Sequence, residues 1–394
     1  MSDTIVRIAA RGDGVTASGR YAALAAPGDR LRADGTLEPG PNRQEPPCRH
    51  FPECGGCQLQ HVTDDAYRLY LMERVVGALA QHGLQTEIRD PHLSPPRSRR
   101  RATLRALKAG QGVLIGFNAA RSKRIVDMRA CHILRPELFS LIEPLRRLLA
   151  GPLRVSGVAE IGLTLADQGV DVLLSDVETQ GFEAAEALSQ FAEEQGLARL
   201  SIDDGYGIET RYEPLPVTVT LSGVPVVLPT GAFLQATADG ESALVDAVRE
   251  AVEGSNRCAD LFAGIGTFAL ALGGQLTAAE ASRDAVLTLQ MAARRAERML
   301  TVQHRDLYRR PFAVSDLSAF DAVVLDPPRA GAEQQVRQLA ASSVPRIAYV
   351  SCNPATFARD AAILAAGGYR LDWARPVGQF RWSTHIELAA RFSR

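Results

Sequence analysis

A cysteine and a glutamate close two apolar, β-rich runs near the C-terminal end. Ile347-Ala348-Tyr349-Val350-Ser351-Cys352 carries a thiol to a strand tip. Asn353-Pro354 then breaks the strand, and Thr356 is expected to cap the helix that follows. Thr384-His385-Ile386-Glu387-Leu388 sets a carboxylate between two aliphatic neighbours, which desolvates it and raises its pKa. A thiolate adds readily to C6 of a uracil ring. C5 then becomes nucleophilic and can attack a methyl sulfonium, and a base must remove the C5 proton before the thiol leaves. Cys352 is the candidate nucleophile and Glu387 the candidate base, with His385 a second choice for that duty. The plain alternatives are an inert buried cysteine and an edge-strand charge.

A pocket for a nucleoside precedes this pair. Cys258-Ala259-Asp260-Leu261-Phe262-Ala263-Gly264-Ile265-Gly266-Thr267 reads as strand, glycine turn and helix start. Leu276-Thr277-Ala278-Ala279-Glu280 ends a second strand in an acid, at the distance where a carboxylate grips ribose hydroxyls. No third glycine follows at dinucleotide spacing, so a nucleoside without pyrophosphate fits better than NAD, and S-adenosylmethionine is the candidate. Asp306 could meet the adenine or simply cap a turn. Asp326-Pro327-Pro328-Arg329 is a rigid acid-bearing turn at the end of a further strand.

The six cysteines divide into a clustered set (Cys48, Cys54, Cys57 and Cys131) and two loners, Cys258 and Cys352. From spacing alone the set could hold zinc or an iron–sulfur cluster, and Cys54-Gly-Gly-Cys57 could be a redox pair. A disulfide framework is not expected in a cytoplasmic chain of this size. Net charge is −1, so any nucleic-acid surface must be local. Arg97, Arg99, Arg100, Arg101, Arg105 and Lys108 form one basic cluster, and Arg121, Lys123, Arg124 and Arg129 another. A solvated charged face is the plain reading of either.

Elements to position these groups can be read along the chain. At 394 residues two or three domains are expected. The opening residues lack the plan of a signal peptide, which points to the cytoplasm. Residues 1–45 are glycine-rich with short alternating runs, a small β element or a mobile arm. Asp64 or Asp65 should cap a helix running to about Gln81, stopped at Gly83. Residues 136–150 read as one amphipathic helix, and a second helix lies near 182–195. An α+β central domain is expected over 46–228. From 229 the pattern is α/β, a doubly wound Rossmann-like domain with strands Arg257–Leu261, Leu276–Glu280, Ala322–Asp326, Arg346–Ser351, Tyr369–Trp373 and His385–Leu388.

The motifs Cys48-x5-Cys54-Gly-Gly-Cys57-Gln58, Ile125-Val126-Asp127 with Cys131, Phe233-Leu234-Gln235, Asp326-Pro-Pro-Arg-Ala-Gly331 and Ser351-Cys-Asn-Pro-Ala-Thr356 together resemble those of bacterial RNA uracil-5-methyltransferases, in particular the iron–sulfur enzymes acting on 23S ribosomal RNA. The likeness runs from about residue 46 to the end. It implies Cys352 as nucleophile, Glu387 as C5 base, and S-adenosylmethionine held by Gln235, Phe262, Thr267, Glu280, Asp306 and Asp326. It implies a [4Fe–4S] cluster on Cys48, Cys54, Cys57 and Cys131, and a splayed base stacked on Phe233. Arg99, Arg100 and Arg101 are expected to contact RNA. Residues 1–45 would be a shortened TRAM-like β element, and the helix at 65–82 would pack on the catalytic domain. The rival readings are a tRNA enzyme of the same chemistry, another RNA base methyltransferase, and a non-catalytic iron–sulfur RNA-binding protein.

Overall fold

The computed structural model describes residues 3–151, 154–179 and 181–394. Its N-terminal element is an ordered sheet of five short strands, in the order Tyr21–Ala22, Gly14–Thr16, Asp3–Ile8, Arg30–Leu31 and Leu37–Glu38. The apolar core there is small: Ile5, Ala22, Ala25 and Leu31. Asp29 compensates. Its buried carboxylate accepts the N–H groups of Ala26 and Gly40 and pairs with Arg43, tying three turns to one point.

The helix Asp64–Ala80 starts one residue earlier than expected, at an N-cap on Thr63, so Asp64 and Asp65 occupy the first turn and face the positive end of the helix dipole. It buries Tyr67, Tyr70, Leu71, Val75 and Leu79 in the same core as Tyr349, Phe357 and Leu388 of the C-terminal domain. The short strands Glu87–Ile88 and His92–Leu93 then add to the C-terminal sheet, both pairing with Arg370–Gly378. Residues 64–93 therefore sit with the C-terminal sheet: the helix does so as the resemblance implies, while the two short strands are an addition to it from within 46–228.

The central sheet runs Ile208–Tyr212, Arg199–Asp203, Gly169–Glu178, Arg154–Ala166, Arg101–Ala109, Gly112–Gly116. One pairing is parallel, between Gly169–Glu178 and Arg199–Asp203, and the helix Phe182–Glu194 makes that crossover. The single helix expected over 136–150 is two: Pro136–Phe139 and Ile142–Ala150. Pro144 explains the break, because it has no N–H to give to the carbonyl of Ser140 and is tolerated only in a first turn.

The C-terminal sheet is doubly wound. Leu300–His304, Gln275–Glu280, Arg257–Leu261, Ala322–Leu325 and Arg346–Ser351 are parallel neighbours in that order. Glu387–Ser393 follows antiparallel, then Arg370–Gly378. The last two strands are longer than expected and begin later. The helix expected at Thr267 is instead a run of turns. Gly266 sits at φ +102, and a Cβ there would lie 2.3 Å from Leu289 Cδ1. Among the described residues, no helix is long and apolar enough to cross a membrane.

A buried ion pair ties two neighbouring strands of the central sheet together. Arg199 donates to both Asp171 oxygens, at 2.9 and 2.7 Å, and to the carbonyl of Leu228 at 3.0 Å. Arg199→Leu should strand the Asp171 carboxylate and lower stability by about 3–5 kcal/mol, read as a fall in the urea midpoint.

Candidate active site

Five strand ends converge on one crevice, as open α/β sheets require. Cys352 follows the strand Arg346–Ser351 directly. The helix after it is capped by Asn353, whose side chain accepts from Ala355 N–H at 3.1 Å. Thr356, the residue expected there, does something else: its hydroxyl and the Asn353 amide both donate to the carbonyl of Arg329, each at 3.1 Å. The Asp-Pro-Pro-Arg turn and the cysteine turn are thus tied together.

Glu387, at the start of its strand, is 5% exposed. Burial, with the charge of Asp326 adding to it, pushes its carboxyl up to about 8; Gln379, Arg101 and Arg329 oppose this. Cys352 is pushed up to about 11 by burial and by Glu387 and Asp326, with Arg329 pulling it down. Asp326 rises to about 7 through burial. His385, the second candidate, faces the Arg329 guanidinium through Nδ1 at 2.8 Å, and burial with that arginine holds its pKa below the usual range.

The cofactor candidates form the other half of the crevice. Gln235 donates to Asp326 at 3.5 Å and accepts from Gln379 at 2.7 Å. Phe262, at the glycine turn, faces Tyr308 with ring centroids 5.6 Å apart. Glu280 accepts from the N–H groups of Gly264 and Ser282, so it braces the turn as well as facing the crevice. Thr267 lies half-buried beyond the turn. Asp306 has the capping role: it accepts from the N–H groups of Tyr308 and Arg309.

Asp260 was not singled out by the sequence. It is fully buried in the strand that enters the glycine turn; no side chain among the described residues pairs with it, and the backbone of Ala269 favours its charged form. Burial and the charges of Asp326 and Glu280 push it up to about 8. Its only signal was an acid in an apolar strand. Gln379, which links Gln235 to Glu387, had no local signal at all.

Phe233 is 59% exposed, with the Arg101 guanidinium 4.4 Å over its ring. Arg101 is mostly enclosed, and burial lowers it to about 10. The three arginines expected on RNA part ways here. Arg100 is committed to Glu241 at 2.6 Å and to the Gln235 carbonyl, so it is a structural cation and not a phosphate contact. Arg99 lies between the rings of Phe117 and Phe380, close to Cys57 and Cys131. Only Arg101 reaches the crevice.

Cys48, Cys54, Cys57 and Cys131 line one cavity with Phe51, Phe117 and Gln60 among its walls. Burial raises Cys57 to about 12, and the other three thiols add to the rise. Backbone N–H groups point at two of the sulfurs: Gly56 at Cys54, and Ile133 and Leu134 at Cys131. Gly55 permits the close turn, since a Cβ there would meet the Asn118 carbonyl at 2.6 Å. Among the described residues no three His, Cys, Asp or Glu side chains converge as a site for a single ion.

A doubly wound domain with a thiol, a buried base and an acid-lined nucleoside crevice defines a transferase acting on a heterocyclic base. The pattern of the tRNA (Uracil-5-)-methyltransferase family matches residues 227–394. An uncharacterized RNA methyltransferase of Zymomonas mobilis is 49% identical over 393 residues, covering 99% of both chains. The 23S rRNA (uracil(1939)-C(5))-methyltransferase RlmD of Pectobacterium atrosepticum is 31% identical, over 90% of this chain and 81% of its own. The fold is that of the Pyrococcus abyssi tRNA (uracil-54, C5)-methyltransferase solved with S-adenosyl-L-homocysteine, with a TM-score of 0.76 and 23% identity over the whole of both chains. The chain belongs to the S-adenosylmethionine-dependent RNA (uracil-5-)-methyltransferases.

The three raised carboxyls have a consequence for stability. Each holds its proton to higher pH in the folded protein than in the unfolded chain, so folding takes up protons between the ordinary carboxylate range and about pH 8. Their contribution is complete below that window and is lost as pH rises through it. The ligand-free protein should melt at progressively lower temperature as pH rises towards about 8, and Asp260→Asn should flatten that slope.

Proposed function

We propose that this enzyme methylates C5 of one uridine in 23S ribosomal RNA, in the cytoplasm, through a covalent Cys352 adduct. The observation that carries this is the meeting of Cys352 and Glu387 across Asp326, close enough that each carboxylate raises the thiol's pKa, in a crevice fed by the exposed ring of Phe233. The 23S target is supported by the likeness to RlmD, which extends through the four-cysteine segment.

The target base would be lifted out of its stack and laid against Phe233. Cys352, its proton lost to solvent, would bond through sulfur to C6 of the ring, and the C5=C6 electrons would bond C5 to the donor methyl as the methyl–sulfonium bond breaks and S-adenosylhomocysteine leaves. Bound S-adenosylmethionine supplies that methyl as an electrophile, and its positive sulfonium beside Asp326 would also favour the Cys352 thiolate. Glu387 then takes the C5 proton. The C5–H electrons restore C5=C6, the C6–S bond breaks, and the thiolate departs. A carboxylate raised to about 8 is a far better acceptor for that proton than an ordinary one. Asp260 and Gln235 offer a buried acid with no cationic side chain beside it and an amide, which suits a cationic amino-acid-bearing nucleoside.

The four-cysteine cavity suits a [4Fe–4S] cluster: its thiols surround a shared space, and backbone N–H groups face the sulfurs. Cys48, Cys54, Cys57 and Cys131 would be the ligands. Methyl transfer moves no electron, so the cluster's part is structural. Cys54→Ser should abolish the visible absorbance of the purified protein and its iron and acid-labile sulfide content.

The direct test is mapping of 5-methyluridine in RNA from cells lacking this gene, with rescue by the wild type, Cys352→Ala and Glu387→Gln. One 23S position should lose its methyl group, and neither variant should restore it. Glu387→Gln protein should accumulate an RNA–enzyme adduct stable to denaturant, since only elimination is blocked, whereas Cys352→Ala should form none. Loss of the methyl group from tRNA instead would transfer the assignment to the tRNA substrate. No change in either RNA would remove uridine as the acceptor.

A further inference from the structure

The eight-residue connection from Gln379 to Ile386, which delivers Glu387 to the crevice, is held from outside its own sheet. Trp382 lies at its apex with φ +57, a conformation a bulky aromatic does not adopt unaided. Its carbonyl accepts two N–H groups, from Gln58 and Leu59, both at 2.8 Å. Its ring is buried in the same core as Cys57. Two residues on, the Thr384 N–H donates to Gln58 Oε1 at 3.2 Å, while Gln58 Nε2 donates to the Gly55 carbonyl at 2.6 Å. Gln58 thus bridges the Cys54–Cys57 turn to the main chain three residues before the base. Tyr67, fully buried, donates to the carbonyls of Ser383 and Phe380 at 2.9 and 3.2 Å, fixing the other side of the loop. Arg99 lies over Phe380 in the same loop while facing Cys57 and Cys131.

We infer that the four-cysteine segment positions the catalytic base, and that Gln58 is the positioning residue through which it does so. The cysteine turn grips the Trp382–Thr384 backbone, and that grip sets where the Glu387 carboxylate stands relative to C5. This inference rests on the covalent pathway proposed above. It gives the segment a task inside the catalytic cycle and confines that task to one step: removal of the C5 proton with cleavage of the C6–S bond. Addition of Cys352 and methyl transfer depend on the Arg346–Ser351 strand tip and the Asp326 turn, which Gln58 does not touch.

The test compares Gln58→Leu and Gln58→Glu with the wild type on RNA tritiated at uridine C5, with the methyl group of the donor carrying carbon-14. Gln58→Leu loses both side-chain bonds; Gln58→Glu keeps the acceptor for Thr384 N–H. In Gln58→Leu, tritium release should slow by about 10- to 100-fold while the first methyl transfer stays near the wild-type rate, so that a denaturant-stable methylated adduct builds up. Gln58→Glu should recover most of the release rate. Visible absorbance and iron content should match the wild type in both variants. Equal slowing of methyl transfer and proton release with no adduct would overturn the inference, as would loss of the chromophore in Gln58→Leu or wild-type kinetics in that variant. Should the wild type itself transfer no methyl group to uridine, the proposed function fails first, and the two failures are told apart by that control.

Discussion

Desolvated negative charge at the strand tips is the constraint on which the site depends. Asp260 and Glu387 are buried and Asp326 is partly so, and desolvation pushes each towards or past neutrality. A carboxylate in such a place is costly unless a cation or proton comes with it. The free enzyme supplies protons. A positively charged donor would supply the cation, and its neutral demethylated product would not. The same crowding raises the Glu387 carboxyl and the Cys352 thiol together, because both effects come from burial beside like charge. The Cys352 thiol and the Glu387 carboxyl are therefore tuned as one electrostatic unit, not as two independent side chains.

Arginines offset this field from fixed positions, and their assignments divide sharply. Arg329 lowers both the thiol and the base and is itself held against His385. Arg101 spans from the stacking ring of Phe233 to the charge of Glu387. Arg100, next in sequence, is turned to Glu241 and holds the central sheet to the helix Ala238–Ala251. Alternation along an extended chain sends neighbouring side chains to opposite sides. A basic run at a strand entrance is for that reason three separate structural facts and not one surface.

That division also marks what could be read from the sequence. Groups at strand tips were legible, because an apolar run followed by Asn-Pro, Asp-Pro-Pro or Gly-x-Gly announces both the element and its end. Cys352, Glu280 and Asp326 all fall there, and the alternation of strands and helices implies the parallel sheet but neither its strand order nor the strand Leu300–His304. Asp260 was passed over because an acid inside a strand carries no local mark of having no cationic side chain beside it. Gln379 was invisible because its partners, Gln235 and Glu387, come from distant parts of the chain. The break before Pro144 was legible in principle; helical amphipathicity simply outweighed one proline. The resemblance implies the docking of the helix at 65–82 on the catalytic domain, whereas nothing in residues 83–93 marks Glu87–Ile88 and His92–Leu93 as strands of the C-terminal sheet.

The return of these residues to the C-terminal sheet has a physical reason. A doubly wound sheet with its final strand inserted antiparallel leaves Arg370–Gly378 near an edge. Edge strands need cover. The early chain provides it twice, with Glu87–Ile88 and His92–Leu93 pairing along that strand and the helix Asp64–Ala80 packing behind it. Once the early chain returns to cover this edge, the cysteine segment immediately before the helix is brought against the connection that carries the base. Covering the sheet edge and bracing the base are thus consequences of one chain path, which is why a segment with almost no regular structure of its own can bear on chemistry more than three hundred residues away.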